Sequence, residues 1–112
     1  MATSTVHTIE TFVATLGSGM KDGTFIGTYD PESGVVHIEF CCRKDTDIGT
    51  GTTLFTIPER YRPAANKNIP SAIFLSNGGT MAYRSTVSTS GAVTQGGSNS
   101  ARGVFGSGAY KI

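Results

Sequence analysis

A tyrosine and an arginine stand side by side at Tyr83-Arg84, with Thr86 two residues on and Arg102 in a later small-residue stretch. Those residue types suit saccharide recognition. A flat ring packs under the apolar C–H face of a sugar, hydroxyl-bearing side chains bond its hydroxyls, and a guanidinium adds affinity for a phosphate. Alternation places Met81, Tyr83, Ser85 and Val87 on one face of a strand and Ala82, Arg84, Thr86 and Ser88 on the other. Tyr83 and Arg84 are therefore expected on opposite faces. The plainer alternative makes Tyr83 a core residue and Arg84 a solvated strand position. Arg102, beside glycine and serine, is expected to fold over the same surface.

Other chemistry is sparse. His37 and Glu39 share one face of a strand and have the types of a base and its orienter, but an exposed pair of this kind reads first as surface polarity. No serine has glycine two residues away on both sides, so there is no nucleophile elbow. Gly17-Ser18-Gly19 and Gly49-Thr50-Gly51 do not lead into helices and cannot cradle a phosphate at a helix N-terminus. Asp45-Thr46-Asp47 is a single acidic repeat, too little for a cation site. Glycan cleavage needs paired carboxylates, and all eight acids precede residue 60. No enzyme is expected, and no cofactor. The adjacent Cys41 and Cys42 point to opposite sides of a strand and cannot bridge to each other without distorting the backbone. They read as free thiols of a chain folded in a reducing cytoplasm, one of them in the core. With only His7 and His37 to add, no metal site is expected.

The elements that must position these residues follow from composition. Of 112 residues, 15 are glycine, 16 threonine and 11 serine, charged residues are 15%, and there is no tryptophan. That excludes a helical bundle or coiled coil, which needs Ala, Glu, Lys and Leu, and favours short strands joined by many turns. Residues 1–9 read as a linker, and residues 10–112 as one domain. Strands are expected over 10–16, 24–29, 35–40, 52–57, 71–75, 80–87 and 92–95, with a tail pair at 104–105 and 109–112. Asp30-Pro31-Glu32-Ser33-Gly34, Asn77-Gly78-Gly79 and Thr89-Ser90-Gly91 mark the turns. Residues 43–51 read as a polar loop and 59–68 as a connection kept from the sheet interior by prolines. About eight short antiparallel strands make an all-β sandwich or barrel. Its core is expected to hold Phe12, Leu16, Phe25, Val36, Ile38, Phe40, Leu54, Ile57, Ile73, Leu75, Val87, Val93, Val104 and Ile112. That inventory is thin, and association of several copies would supplement it.

The net charge of +1 hides an asymmetry. Residues 1–59 carry eight acids against three bases, −5, and residues 60–112 carry six bases and no acid, +6. Interleaved strands can blend the halves into a mixed surface; a surviving basic patch would suit an anionic partner. Nucleic acid is not favoured, because the basic residues form no runs and do not interleave with aromatics. No segment approaches the ~20 apolar residues of a membrane span.

Ile57-Pro58-Glu59-Arg60-Tyr61-Arg62-Pro63-Ala64, followed by an apolar strand, a glycine hairpin and a glycine-rich tail, resembles the C-terminal domains of phage tail and baseplate proteins. It is most similar to the receptor-binding head of phages infecting lactococci and related Gram-positive bacteria. The likeness spans residues 10–112 and is sharpest over 52–112. In the motif the proline stops a strand, Tyr61 and Pro63 can plug the barrel end, and Arg62 can bind carbonyls. The resemblance implies a Greek-key-like, homotrimeric β-barrel head at the tail tip of the virion, adsorbing to host cell-wall polysaccharide or phosphosaccharide beside other baseplate subunits. It also implies that Arg84 and Thr86 stand where the family presents a histidine and an aspartate, before Thr89-Ser90-Gly91. Arg102-Gly103, with Gly108 and Tyr110, matches a C-terminal segment that contacts sugar. Gln95-Gly96 stands where the family has an aromatic. Residues 1–9 hold nothing that could form the family's N-terminal stem, so either an isolated head or a member with another role in the tail is expected. The second expectation is a structural trimerisation or connector module that binds no saccharide.

Overall fold

A computed structural model describes residues 8–112; the expected linker over residues 1–9 lies almost wholly outside the described residues. The described residues form a single antiparallel sheet of nine strands: β1 (Glu10–Phe12), β2 (Thr15–Leu16), β3 (Asp22–Asp30), β4 (Val35–Ile48), β5 (Thr53–Thr56), β6 (Lys67–Leu75), β7 (Thr80–Val87), β8 (Ala92–Gln95) and β9 (Ala101–Lys111). One 3-10 turn, Glu59–Tyr61, interrupts the strands. Spatial order is β1-β3-β4-β9-β6-β7-β8-β5-β2. Within it, β9-β6-β7-β8 is a Greek key: three hairpin-connected strands with the fourth returning beside the first.

The order also forces curvature. β1 and β2 are the two edges of the sheet, yet only Val13 and Ala14 separate them in the chain. Flat, nine strands would hold their edges ~38 Å apart, whereas the Phe12–Thr15 link spans at most about 11 Å. The sheet curls into a half-barrel, as expected of an all-β sandwich or barrel.

The hairpins form where turn chemistry demanded them. Gly34, Gly78 and Gly91 hold positive φ, and Asn77 Oδ1 accepts the Gly79 N–H at 2.8 Å to lock the β6–β7 turn. Alternation decides the core. In β4, Val36, Ile38, Phe40 and Cys42 are buried, while His37, Glu39 and Cys41 are exposed. Phe25, Phe40 and Phe55 pack as an aromatic centre, their centroids 5.3–6.2 Å apart. Among the described residues no buried side-chain N or O lacks a partner. No helix among them is long and apolar enough to cross a membrane.

Several elements depart from expectation, each for a physical reason. Residues 43–48 extend β4 instead of looping. Their side chains are polar because most of this extension is solvated, and Arg43–Asp22, Lys21–Asp45 and Arg102–Asp47 ion pairs tie it to its surroundings. The tail is one strand, β9: Gly106 and Gly108 do not break it but make room, because a Cβ at Gly106 would run into the Phe40 ring. Residues 10–16 divide into two edge strands. Residues 67–70 open β6, and Pro70 is tolerated there because the ladder with β9 starts only at Ser71–Gly106. Ile112 is 41% exposed and leaves the core list, Phe12, Leu16 and Leu75 are half-buried, and Ile48, Phe55, Ile69 and Tyr110 join it.

Candidate functional site

β8 covers β7 only from Ser85 to Val87, its last pair being Ser85–Gln95. Among the described residues Thr80–Tyr83 therefore forms a ledge with no neighbouring strand on its β8 side, while the Arg84 carbonyl still accepts the Gly96 N–H at 3.3 Å. Ser85 and Val87 point into the core, and Tyr83 shares their face, but it lies past the end of β8 and is 42% exposed. Its alternative reading as a core residue is not realised. The Arg84 guanidinium carbon lies 5.4 Å from the centre of the Tyr83 ring. The two leave the backbone on opposite faces, as alternation requires, and meet across the uncovered edge. A cation over an exposed ring contributes ~0.5–1 kcal/mol. Among the described residues no carboxylate pairs with Arg84, so its donors remain available.

The ledge rests on the loop over residues 96–100, and Gln95 shapes that loop. Gln95 is 1% exposed; its amide donates to the carbonyls of Ile48 (3.1 Å) and Ser98 (2.8 Å) and accepts from the amides of Gly97 (2.8 Å) and Ser98 (3.2 Å). Gly97 is thereby pressed between Ile73 and the Tyr83 side chain, where no Cβ would fit. The sequence singled out Gln95 only as the place of a missing aromatic; a lone glutamine before Gly-Gly carries no local signal of this role. Thr86 lies on the Arg84 face, half-buried, and its hydroxyl donates to Asn68 Oδ1 at 3.3 Å.

Arg102 stands apart. It lies in β9 and not in a flexible loop, donating to Asp47 Oδ1 and the Asp45 carbonyl, each at 2.8 Å. It borders a different depression, with Cys41, Arg43, Phe74 and Gly103. Its neighbour Gly103 pairs with Phe74, which pairs with Thr80, four residues from Arg84 on β7 and two strands over. Those offsets are about 10 Å across the sheet and about 13 Å along it. The fold brings Tyr83, Arg84 and Thr86 together and does not bring Arg102 to them.

The Tyr-Arg-Pro segment does structural work as its residue types suggest. Arg60 donates to both Glu10 oxygens (2.8 and 2.6 Å), and the Tyr61 hydroxyl adds a third bond at 3.0 Å. These bonds, the Arg60 pair first, hold the Glu10 carboxyl below its ordinary pKa and raise that of Arg60. Tyr61 stacks on Phe12 with centroids 4.0 Å apart, Pro63 is buried, and Arg62 donates to the Ile57 carbonyl at 2.7 Å. The Tyr110 hydroxyl donates to the Tyr61 carbonyl, and burial pushes its pKa up. The segment fastens edge strand β1 and the end of β9 to the 3-10 turn.

The antiparallel pairing also blends the two charged halves, since Arg60 and Arg102 pair with acids of the first half. Among the described residues no group of three or more His, Cys, Asp or Glu side chains could hold a metal ion. Compared with known proteins, the chain matches no family model and no curated sequence.

Proposed function

We propose that this chain is the head domain of a phage tail or baseplate receptor-binding protein that recognises saccharide on the surface of a Gram-positive host during adsorption. The observation that carries the proposal is the Tyr83–Arg84 ledge, an exposed ring with a guanidinium 5.4 Å from its centre that no carboxylate pairs among the described residues, just beyond the end of β8. A pyranose stacks on the ring, Arg84 takes a hydroxyl pair or a phosphate, and Thr86 with Asn68 extends the row of hydrogen-bonding groups. The role is adhesion without a catalytic step. The head works as a homotrimer on the virion, among other tail subunits, after folding in the host cytoplasm. Calorimetry against purified host cell-wall polysaccharide tests it. Arg84→Ala is expected to weaken binding roughly tenfold or more, the loss of a charge-assisted hydrogen bond, whereas Arg102→Ala is expected to leave it unchanged. No binding by the native chain would end the proposal.

A second reading, a trimerising connector of the tail, draws on another observation. Ile26, Phe74 and Phe105 are large apolar residues left 62%, 44% and 41% exposed on the outer face of the sheet. It expects stable capture of purified baseplate subunits with no saccharide affinity.

A further inference from the structure

A second polar depression lies on the outer sheet face across β3, β4 and β9, two strands from Arg84, which pairs with Pro70 on the intervening β6. Cross-strand register aligns Ile26 with Glu39 and Ser107 in one row, and Thr28 with His37 and Ala109 in the next. The two rows stand two residues apart along the strands, so their side chains rise from the same face. Ser107 and Ala109 are small, so β9 raises no large side chain between the two rows. The result is a shallow hollow of about 250 Å³, lined by Ile26, Thr28, His37, Glu39, Ser107 and Gly108.

Its chemistry differs from that of the ledge. Ile26, 62% exposed, offers an apolar wall. Around it stand one carboxylate, one imidazole and two hydroxyls. Among the described residues neither Glu39 nor His37 has a hydrogen-bond or ion-pair partner, so both keep their full capacity. A carboxylate accepts two neighbouring hydroxyls at once, an imidazole both donates and accepts, and an aliphatic wall covers the C–H face of a ring. That donor and acceptor set matches a vicinal diol. It also disfavours an anion, because a phosphate or uronate beside Glu39 meets like charge with no lysine or arginine lining the hollow.

We infer that the hollow at Ile26, His37 and Glu39 is a binding subsite for a neutral sugar or polyol unit, bound through two adjacent hydroxyls, and separate from the arginine-bearing ledge. This deepens the saccharide-recognition reading and rests on it. Together the two surfaces suit a polysaccharide that carries neutral and charged units in one chain.

The test titrates the full chain, labelled for backbone-amide NMR, with glucose, galactose, rhamnose, N-acetylglucosamine and glycerol, and separately with glucose 6-phosphate. At least one neutral probe is expected to shift the amides of Ile26, His37, Glu39 and Ser107, while glucose 6-phosphate shifts Tyr83 and Arg84 instead. Glu39→Gln keeps the shape of the hollow and is expected to weaken the neutral probe roughly tenfold or more; His37→Gln is expected to weaken it less. Arg84→Ala is expected to leave it unchanged. Shifts confined to the ledge with every probe overturn this inference and leave the saccharide reading standing. Absence of shifts at both surfaces overturns both. Neutral-probe shifts at the hollow that survive Glu39→Gln undiminished overturn the assignment of Glu39 as the diol acceptor.

Discussion

Gln95 shows how one buried side chain can determine an exposed surface. Its four hydrogen bonds hold Gly97 against Ile73 and so set the floor under Tyr83. Gln95→Leu keeps the volume but strips partners from two carbonyls and two amides. The expected cost is about 2–4 kcal/mol in urea denaturation, with faster hydrogen exchange at Gly97 and Ser98. An undiminished midpoint would show that water replaces the amide. The cysteines make a second contrast at this scale. Cys41 is exposed, while burial pushes the Cys42 thiol up to about 12. A thiol reagent at neutral pH is therefore expected to label one site per native chain and two in denaturant, read by intact mass. Because Cys42 ionises more readily unfolded than folded, its contribution to stability is complete below about pH 9 and declines above it.

Among the elements, β1 depends most on side chains from elsewhere. It is three residues long at the edge of the sheet, paired only with β3 and fastened by Arg60 on Glu10 and Tyr61 on Phe12. The lowered carboxyl pKa fixes the sign of its pH dependence. The contribution of the Glu10–Arg60 pair is complete above the unfolded carboxylate value of ~4.3 and is lost as pH falls through the lower folded value. Thermal melting from pH 7 downward is expected to fall less steeply for Glu10→Gln than for the native chain; parallel curves would remove the pair from the account. The Tyr-Arg-Pro segment that supplies this clamp was legible as a strand stop and a plug, because proline and aromatic chemistry are local. Its contact with Glu10, some fifty residues earlier, was not, since only the curling of the sheet brings β1 beside it.

At the scale of the whole molecule, the expectation of a thin core needs revision in part. The core recruits Ile48, Phe55, Ile69 and Tyr110 beyond the residues that alternation singled out. The case for association now rests more on the outer face, where Ile26, Phe74 and Phe105 stay exposed. A homotrimer is expected in solution, read as three times the 11.7 kDa chain mass by ultracentrifugation. Phe74→Ser with Phe105→Ser is expected to shift the mass towards the monomer, and a native chain already monomeric would refute the trimer.

The amino-acid sequence by itself determined the all-β class, the hairpin turns and the in–out alternation of β4, because turn conformation and strand periodicity are properties of neighbouring residues. It could not determine which strands adjoin. β9 lies between β4 and β6, and β1 and β2 lie at opposite edges, through pairings set by shared burial over long separations. Those pairings decided the proposed binding surfaces. The early end of β8 exposed Tyr83, the bulged β4–β9 ladder engaged Arg102 with Asp47, and the register of β3, β4 and β9 gathered Ile26, His37 and Glu39 around one hollow. Residue types suggested the proposed sugar-binding chemistry; only the three-dimensional register decided which of them share a surface.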